Sequence, residues 1–537
     1  MLKVKAISLL ILVTIGLQSL AQKSVPKKQP NIVLILADDM GFSDIGSFGS
    51  TTQTPVLDKM AAEGLKMTNF YNASRCCPTR ASLMTGLFQH QAGVGDMMNT
   101  RPQPAYQGYL NKECVTIAEA LKAGGYATFM TGKWHLGQAK ENWPTRRGFD
   151  QYFGLIDGAN SYFENRPYRP NQKLSIVLNE EEYKTGKGYY STNAYTDFAI
   201  KFIEEKRQPN QPFFLYMAFQ APHWPLHALP EDIAKYKGKF MKGWDVLRQE
   251  RFEKQKQMGV ISQDQTLSPR AAELPDWNSL TQKEKEDWDD KMAVYAAMID
   301  KMDQNIGKLK AKLKELGEEE NTVFMFLSDN GGSNETINNT GFTPQIIASS
   351  KMDASNPQSF TAYGYQGANV SNTPFRSFKH WEYEGGTATP FIAYGPKWIK
   401  PQLNHQPAHI IDVMNTCLEL ANVSYPTTYN GQQITPTRGK SLVPMFQERK
   451  WKGHDALFFE HEGNRALRAG NWKLVSEYPA NQWQLYNLSS DRAELNNLAA
   501  KYSDRVKTMA KKYDKWASKT GVIPFAELDK KRPQDKF

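Results

Sequence analysis

Five apolar residues in a row, Ile32 to Leu36, stand between Asn31 and the polar turn Ala37-Asp38-Asp39. A run this short, without alternation, predicts a strand buried on both faces. The pattern recurs at Tyr126 to Met130 before Thr131-Gly132-Lys133, at Phe213 to Phe219 before Gln220-Ala221-Pro222-His223, and at Val323 to Leu327 before Ser328-Asp329-Asn330. Helical patterns separate these runs. Thr54-Pro55 opens one with a cap residue and a first-turn proline, Thr116 to Ala123 forms another, and Lys291 to Leu316 a long third. Strands alternating with helices predict an α/β fold, a parallel, doubly wound sheet covered on both faces. Each apolar run is followed by a charged or imidazole residue at its carboxyl end, where open α/β sheets gather ligands. One rim is therefore expected to carry Asp38, Asp39, Lys133, His135, His223, Asp329 and Asn330.

Two stretches interrupt the alternation. Residues 231–290 are charged and partly helical (QERFEKQKQ, TQKEKEDWDD) and read as a solvated insertion. Residues 341–377 are rich in Gly, Ser, Asn and Tyr; a loop this long next to Lys379 reads as a lid. From about Val423 the composition changes. ALRAGNWKLVSEYPANQWQLYNL alternates apolar and polar residues around turns, and a helix from Ala500 to Lys519 follows. The expected layout is a large domain, 31–422, and a smaller α+β domain, 423–537, carrying an antiparallel sheet.

A chain of 537 residues supports this division, because single cores stop growing near about 250–300 residues. Met1 to Ala21 reads as a signal peptide: MLKVK is a basic start, AISLLILVTIGL an apolar centre and QSLA a small-residue cleavage site, with 22–30 a polar linker. The apolar centre is too short to span a bilayer and no longer one follows, so a soluble protein, periplasmic or secreted, with no stable membrane insertion is expected. Four cysteines, Cys76, Cys77, Cys114 and Cys417, are too few to staple such a chain. The formal charge of +10 falls to +8 when Lys3 and Lys5 leave with the leader. Cations are spread along the chain; this suits an anionic substrate and serves solubility equally. No zinc-knuckle, helix-turn-helix or RNA-binding pattern occurs, which argues against a nucleic-acid partner.

Asp38-Asp39 and Asp329-Asn330 offer oxygen ligands only, as hard cations such as Ca²⁺ or Mg²⁺ require. A single such pair would also suit a helix cap; two, at two strand ends, point to an ion. In SRCCPTR, Ser74 to Arg80, Pro78 marks the first turn of a helix. Cys76 and Cys77 then sit where backbone N–H groups converge, an anion is favoured and a thiol pKa falls. Alone, the pair reads equally as a buried cysteine and its neighbour.

Cys76-x-Pro78-x-Arg80 followed by Met84-Thr85-Gly86 resembles the signature of the type I sulfatases, whose cysteine is oxidised after translation to formylglycine. ADDMGFSDIGSFG (37–49), TGKWHLG (131–137), APHWP (221–225), SDNGG (328–332) and YEGG (383–386) resemble further sulfatase motifs in the family's order. APHWPLHA and LRQERFEKQKQMG are particularly similar to the larger bacterial arylsulfatases.

The resemblance implies an alkaline-phosphatase-like fold with a large, mixed, mostly parallel sheet. It also implies one Ca²⁺, rather than Mg²⁺, held by Asp38, Asp39, Asp329 and Asn330, and a formylglycine made from Cys76 by a maturing enzyme, with Cys77 at a variable position. Arg80 and Lys133 are implied to hold the hydrated aldehyde and the sulfate charge, and His135 to orient and deprotonate the hydrate. His223 and Lys379 are implied to bind the sulfate, with His223 protonating the leaving oxygen. The implied reaction is arylsulfatase-like: one hydroxyl of the hydrate attacks sulfur, the alcohol leaves, and the second hydroxyl frees the sulfate from the sulfoenzyme.

Phosphonate monoester and phosphodiester hydrolases share the signature, a carbohydrate sulfatase fits it, and a sulfated-glycan binding protein without catalysis is the reading from another class. Tyr106, Tyr109, Tyr363, Tyr365 and Trp381 lie in loops that suit stacking on a sugar or aromatic ring. His227 and His380 are expected to line the pocket or the surface, while His90, His405, His409, His454 and His461 gain no role.

Overall fold

The computed structural model describes residues 29–338 and 341–529. The expected signal peptide, 1–21, and the linker up to residue 28 lie outside the described residues. Eleven strands form one sheet: β1 (Asn31–Ala37), β2 (Leu65–Tyr71), β3 (Ala127–Gly132), β4 (Gln151–Leu155), β5 (Ile176–Leu178), β6 (Glu181–Glu182), β7 (Phe213–Ala218), β8 (Thr322–Ser328), β9 (Ala388–Tyr394), β10 (Gln402–Asn404) and β11 (Ala408–His409). Their order is β10-β2-β9-β8-β1-β7-β3-β4-β5-β6, with β11 also on β2. The central strands β8, β1, β7, β3 and β4 run parallel, as expected. The flanks are mixed: β9 lies antiparallel between β8 and β2, and β5 and β6 return as hairpins.

The reason β1 has no alternation is visible in its two faces. Val33, Ile35 and Ala37 enter one core and Ile32, Leu34 and Leu36 the other, all fully buried. Each large side chain there contributes about 1.5–3 kcal/mol by leaving water. Register places Leu36 beside Ala218 of β7 and Leu327 of β8, so the residues after these strands emerge together at one rim.

The helix Pro55–Glu63 follows Thr54, and Ile117–Ala123 carries a complete capping box between Thr116 and Glu119. The long helix begins at Gln282 rather than Lys291, because Thr281 and Glu284 form a second capping box that starts it in polar sequence.

The reading of 231–290 as solvated is corrected by its packing. The helix Trp244–Gln257 buries Trp244, Leu247, Arg248, Arg251, Phe252 and Gln255. Trp244, Trp277 and Trp288 meet edge to face at 5.1–5.5 Å, and Arg251 reaches Asp44 at 2.9 Å. Its many lysines and glutamates face outward, and their number hides the few residues that face the core. The 341–377 stretch holds the helices Pro344–Ser349 and Gly364–Ser371. Phe342, Ile346 and Phe360 pack there against Tyr168 and Trp224.

Beyond a short ribbon of β12 (Thr428–Tyr429) and β13 (Gln432–Gln433), the antiparallel sheet β14 (Leu457–His461), β15 (Asn464–Ala469), β16 (Trp472–Ser476) and β17 (Trp483–Asn487) carries the helix Ser503–Thr520. Trp516 of that helix stacks on Phe458 at 5.0 Å. This sheet joins the large one through Glu384 of the YEGG motif. The Glu384 carboxylate accepts from Tyr71 Oη at 2.8 Å, Lys473 Nζ at 3.1 Å and Arg492 Nη2 at 2.9 Å, while its amide donates to Glu494 Oε2 at 2.7 Å.

Candidate active site

Asp38 and Asp39 follow β1, and Asp329 and Asn330 follow β8, so two adjacent parallel strands deliver four oxygen-bearing side chains to one point. All four are buried. Asn330 Nδ2 donates to Asp39 Oδ1 at 2.6 Å and the Asp39 amide to Asp329 Oδ1 at 3.1 Å. Three cations face them. Lys133 Nζ, after β3, lies 2.6 Å from Asp38 Oδ2; Arg80 Nη2 lies 2.9 Å from Asp329 Oδ2; Lys379 Nζ lies 2.9 Å from Asp39 Oδ2.

Asp38 Oδ1 and Asn330 Oδ1 are nevertheless buried without a partner. Burial, only partly offset by Lys133 and Arg80, pushes the Asp38 carboxyl up. Burial and the nearby Asp38 charge push Asp329 well up. The two oxygens left without a donor are hard ligands beside two carboxylates that burial destabilises, so the four residues fit an alkaline-earth ion.

Cys76 opens the helix Cys76–Thr85, every residue of which is buried. Its thiol, Cys77 and His135 bring their ligand atoms within 4.8 Å of one another. A hydrogen bond from the Cys77 thiol, aided against burial by Lys133 and His135, holds the Cys76 thiol well below its ordinary range. Burial, and the bond to Cys76, raise Cys77 well above. Of the two sulfurs, the surroundings favour the thiolate at Cys76. All four cysteines are free.

Burial presses His135 and His223 to about 4. His223 Nδ1 sits 2.6 Å from the Trp224 carbonyl, which accepts its proton and leaves Nε2 3.5 Å from Asp39. Against burial, which alone would lower it, Asp39 and Glu335 hold the Lys379 ammonium up. Asp39 (φ 62°), Ser74 (54°), His135 (57°), Ser377 (63°) and His380 (87°) all have left-handed backbone at or beside these groups. Strain of this kind in non-glycine residues gathers where the surroundings fix a functional geometry.

Cys76, His135, His223 and Lys379 line a cavity of about 870 Å³, within the range of ligand sites. The structure thus brings together every residue expected at the rim, with Arg80 and Lys379 added. The aromatic wall differs from expectation. Tyr168, Trp224 and Phe342 form it with Tyr365, the one expected aromatic that lines the cavity. Tyr106 instead bonds the Ile523 amide, and Tyr363 stacks on Tyr295. His227 is held by the Ser359 carbonyl at 2.7 Å, away from the cavity.

Arg75 and Glu335 were not marked by the sequence, though one adjoins Cys76 and the other follows SDNGG by three residues. Glu462, in the turn between β14 and β15, also lines the cavity, beside His380 and His461.

The alkaline-phosphatase-like sheet thus carries at its carboxyl rim a cluster of oxygen-bearing side chains that fits an ion, with Cys76 at a helix start lining the cavity. A family model described as Sulfatase matches residues 30–423, and one described as N-sulphoglucosamine sulphohydrolase, C-terminal, matches 375–519. An uncharacterized sulfatase of Schizosaccharomyces pombe is 36% identical over 93% of this chain and 96% of its own length. An arylsulfatase of Klebsiella aerogenes is 33% identical over 78% of this chain and 92% of its own. The fold also matches the crystal structure of BT4656 with its substrate D-glucosamine-2-N,6-O-disulfate, at TM-score 0.61 and 21% identity, covering 95% of this chain and 100% of that one. The chain belongs to the sulfatase family, and its reaction class is the hydrolysis of sulfuric esters.

Proposed function

We propose that the chain cleaves aryl or saccharide sulfate esters, with Cys76 oxidised to formylglycine and one Ca²⁺ on Asp38, Asp39, Asp329 and Asn330. The observation that carries this reading is the placement of Cys76 on the cavity wall at the start of a buried helix, beside Lys133 and His135. The ion supplies a Lewis acid for a sulfate oxygen. A hydrated aldehyde at position 76 would supply one hydroxyl as the nucleophile towards sulfur, with the alcohol as leaving group, and a second whose deprotonation would expel sulfate and restore the carbonyl.

The chain's own groups do the rest. His135, neutral above about pH 4, accepts the proton released at position 76. Arg80 and Lys133 stay cationic beside Asp38 and hold the charge of the sulfate and of residue 76. Lys379 donates to a sulfate oxygen, and His223 gains a proton as the anion enters and passes it to the leaving oxygen. Tyr168, Trp224 and Phe342 offer a face for a ring, and Asn99, Gln138 and Arg169 offer polar contacts to hydroxyls. The leader-like Met1 to Ala21 supports export to the periplasm or beyond.

The test is mass spectrometry of the peptide spanning Cys76 to Arg80, from a host with a sulfatase-maturing enzyme, beside an aryl sulfate assay. An aldehyde at residue 76 with turnover is expected. An intact thiol together with full turnover would refute the formylglycine reading.

A further inference from the structure

Glu335 stands on the cavity wall outside the ion cluster, and three segments converge on it. Its Oε1 accepts from Arg75 Nη1 at 2.9 Å; its Oε2 accepts from Trp224 Nε1 at 2.7 Å and from Lys379 Nζ at 3.2 Å. Arg75 and Lys379 line the same cavity as Cys76. With both oxygens already engaged, this carboxylate has little left to offer a substrate hydroxyl. What it contributes is charge. Arg80, Lys133 and Lys379 pair with Asp329, Asp38 and Asp39, Arg75 pairs with Glu335, and with the proposed Ca²⁺ bound the site is cationic, so Glu335 offsets part of a positive surplus.

The reaction changes the charge of what the site holds. A monoester R–O–SO₃⁻ and water give R–OH, SO₄²⁻ and a proton, so the product bound at the cations is a dianion while the substrate is a monoanion. Surplus positive charge favours the dianion more strongly. We propose that Glu335 is a charge-setting residue that weakens the hold on released sulfate, and on other dianions, relative to the monoanionic ester. The proposal rests on the sulfate-ester reading of the site.

The experiment measures inorganic sulfate binding by calorimetry, and its competition with an aryl sulfate, in mature protein. In Glu335→Gln, sulfate should bind about 10-fold tighter while KM for the ester falls by no more than about 3-fold. Glu335→Asp, which keeps the charge, should stay within about 2-fold of wild type. Arg75→Gln should weaken sulfate by a similar factor, and the double variant should return towards wild type.

Unchanged or weaker sulfate binding in folded Glu335→Gln, or equal tightening of ester and sulfate, overturns the proposal. If Glu335→Gln does not fold, an unchanged sulfate affinity in Arg75→Gln overturns it instead. A wild-type protein that cleaves no sulfate ester, yet shows these shifts in sulfate affinity, would sink the reaction reading and leave the charge-setting role standing.

Discussion

The acid cluster at the ends of β1 and β8 and the Glu384 network at the seam with the C-terminal sheet both bury acids among cations. They differ in what is left over. Tyr71, Lys473 and Arg492 converge on the Glu384 carboxylate, so both of its oxygens have donors. At the strand ends, Asp38 Oδ1, Asn330 Oδ1 and Arg80 Nε have none. A carboxylate with donors on both oxygens is fixed in one geometry, although Glu494 Oε1 in the same seam has no hydrogen bond. An unsatisfied one is costly to keep, and persists where packing holds it for a ligand to complete. Residue types alone do not tell the two clusters apart; what differs is whether the carboxylate at the centre has donors on both oxygens.

Substitutions should split along that line. Cys76→Ala is expected to lower kcat/KM on an aryl sulfate by about 10⁴-fold or more with no change in the unfolding midpoint, while Cys77→Ala stays within about 10-fold. Equal losses would undo the assignment of the two sulfurs. Asp329→Ala should lose bound metal and about 10³-fold of activity together, read by elemental analysis beside the assay. Full activity after exhaustive chelation would remove the ion from the chemistry.

Glu384→Gln should behave in the opposite way. It leaves Lys473 and Arg492 short of a buried counter-charge and should cost about 3–5 kcal/mol in denaturant unfolding, with kcat of the folded fraction within about 3-fold. Acid sharpens the contrast. Despite burial, Lys473 and Arg492 hold Glu384 down at about 2, below its ordinary 4.5. A lowered carboxylate stabilises fully above its unfolded value, so this stability should drain away as pH falls from 4.5 towards about 2. Denaturation curves across that window should show a slope in wild type that Glu384→Gln lacks. The smallest effect lies outside both clusters: Thr281→Ala, which breaks a capping box, should cost about 1 kcal/mol in the same unfolding assay and leave turnover alone.

The central strands and their polar ends were legible because the signal is local: an apolar run buried on both faces, then an acid, lysine or histidine. The antiparallel placement of β9 was not, since ATPFIAY reads like any buried strand and nothing within it marks its direction, which is seen only in its pairing with β8 and β2. The packed face of the Trp244–Gln257 helix was hidden under surplus surface charge. Arg75 and Glu335 escaped notice because neither belongs to a spacing; their meaning arises where residues 260 apart in sequence meet. YEGG was visible as a motif, but its glutamate lies in the seam between the two sheets and does not line the cavity.

Ser74 to Arg80 are buried apart from half-covered Arg75, and the Ser74 carbonyl is tied to the His380 amide at 2.8 Å. In the folded chain Cys76 lines the cavity while the peptide on either side of it is covered. The wall that covers it includes Lys379, His380 and Glu462, hundreds of residues downstream. The cover over the Cys76 peptide is thus put on by the last third of the chain, so a segment near the start of the sequence stays open until the far end has folded.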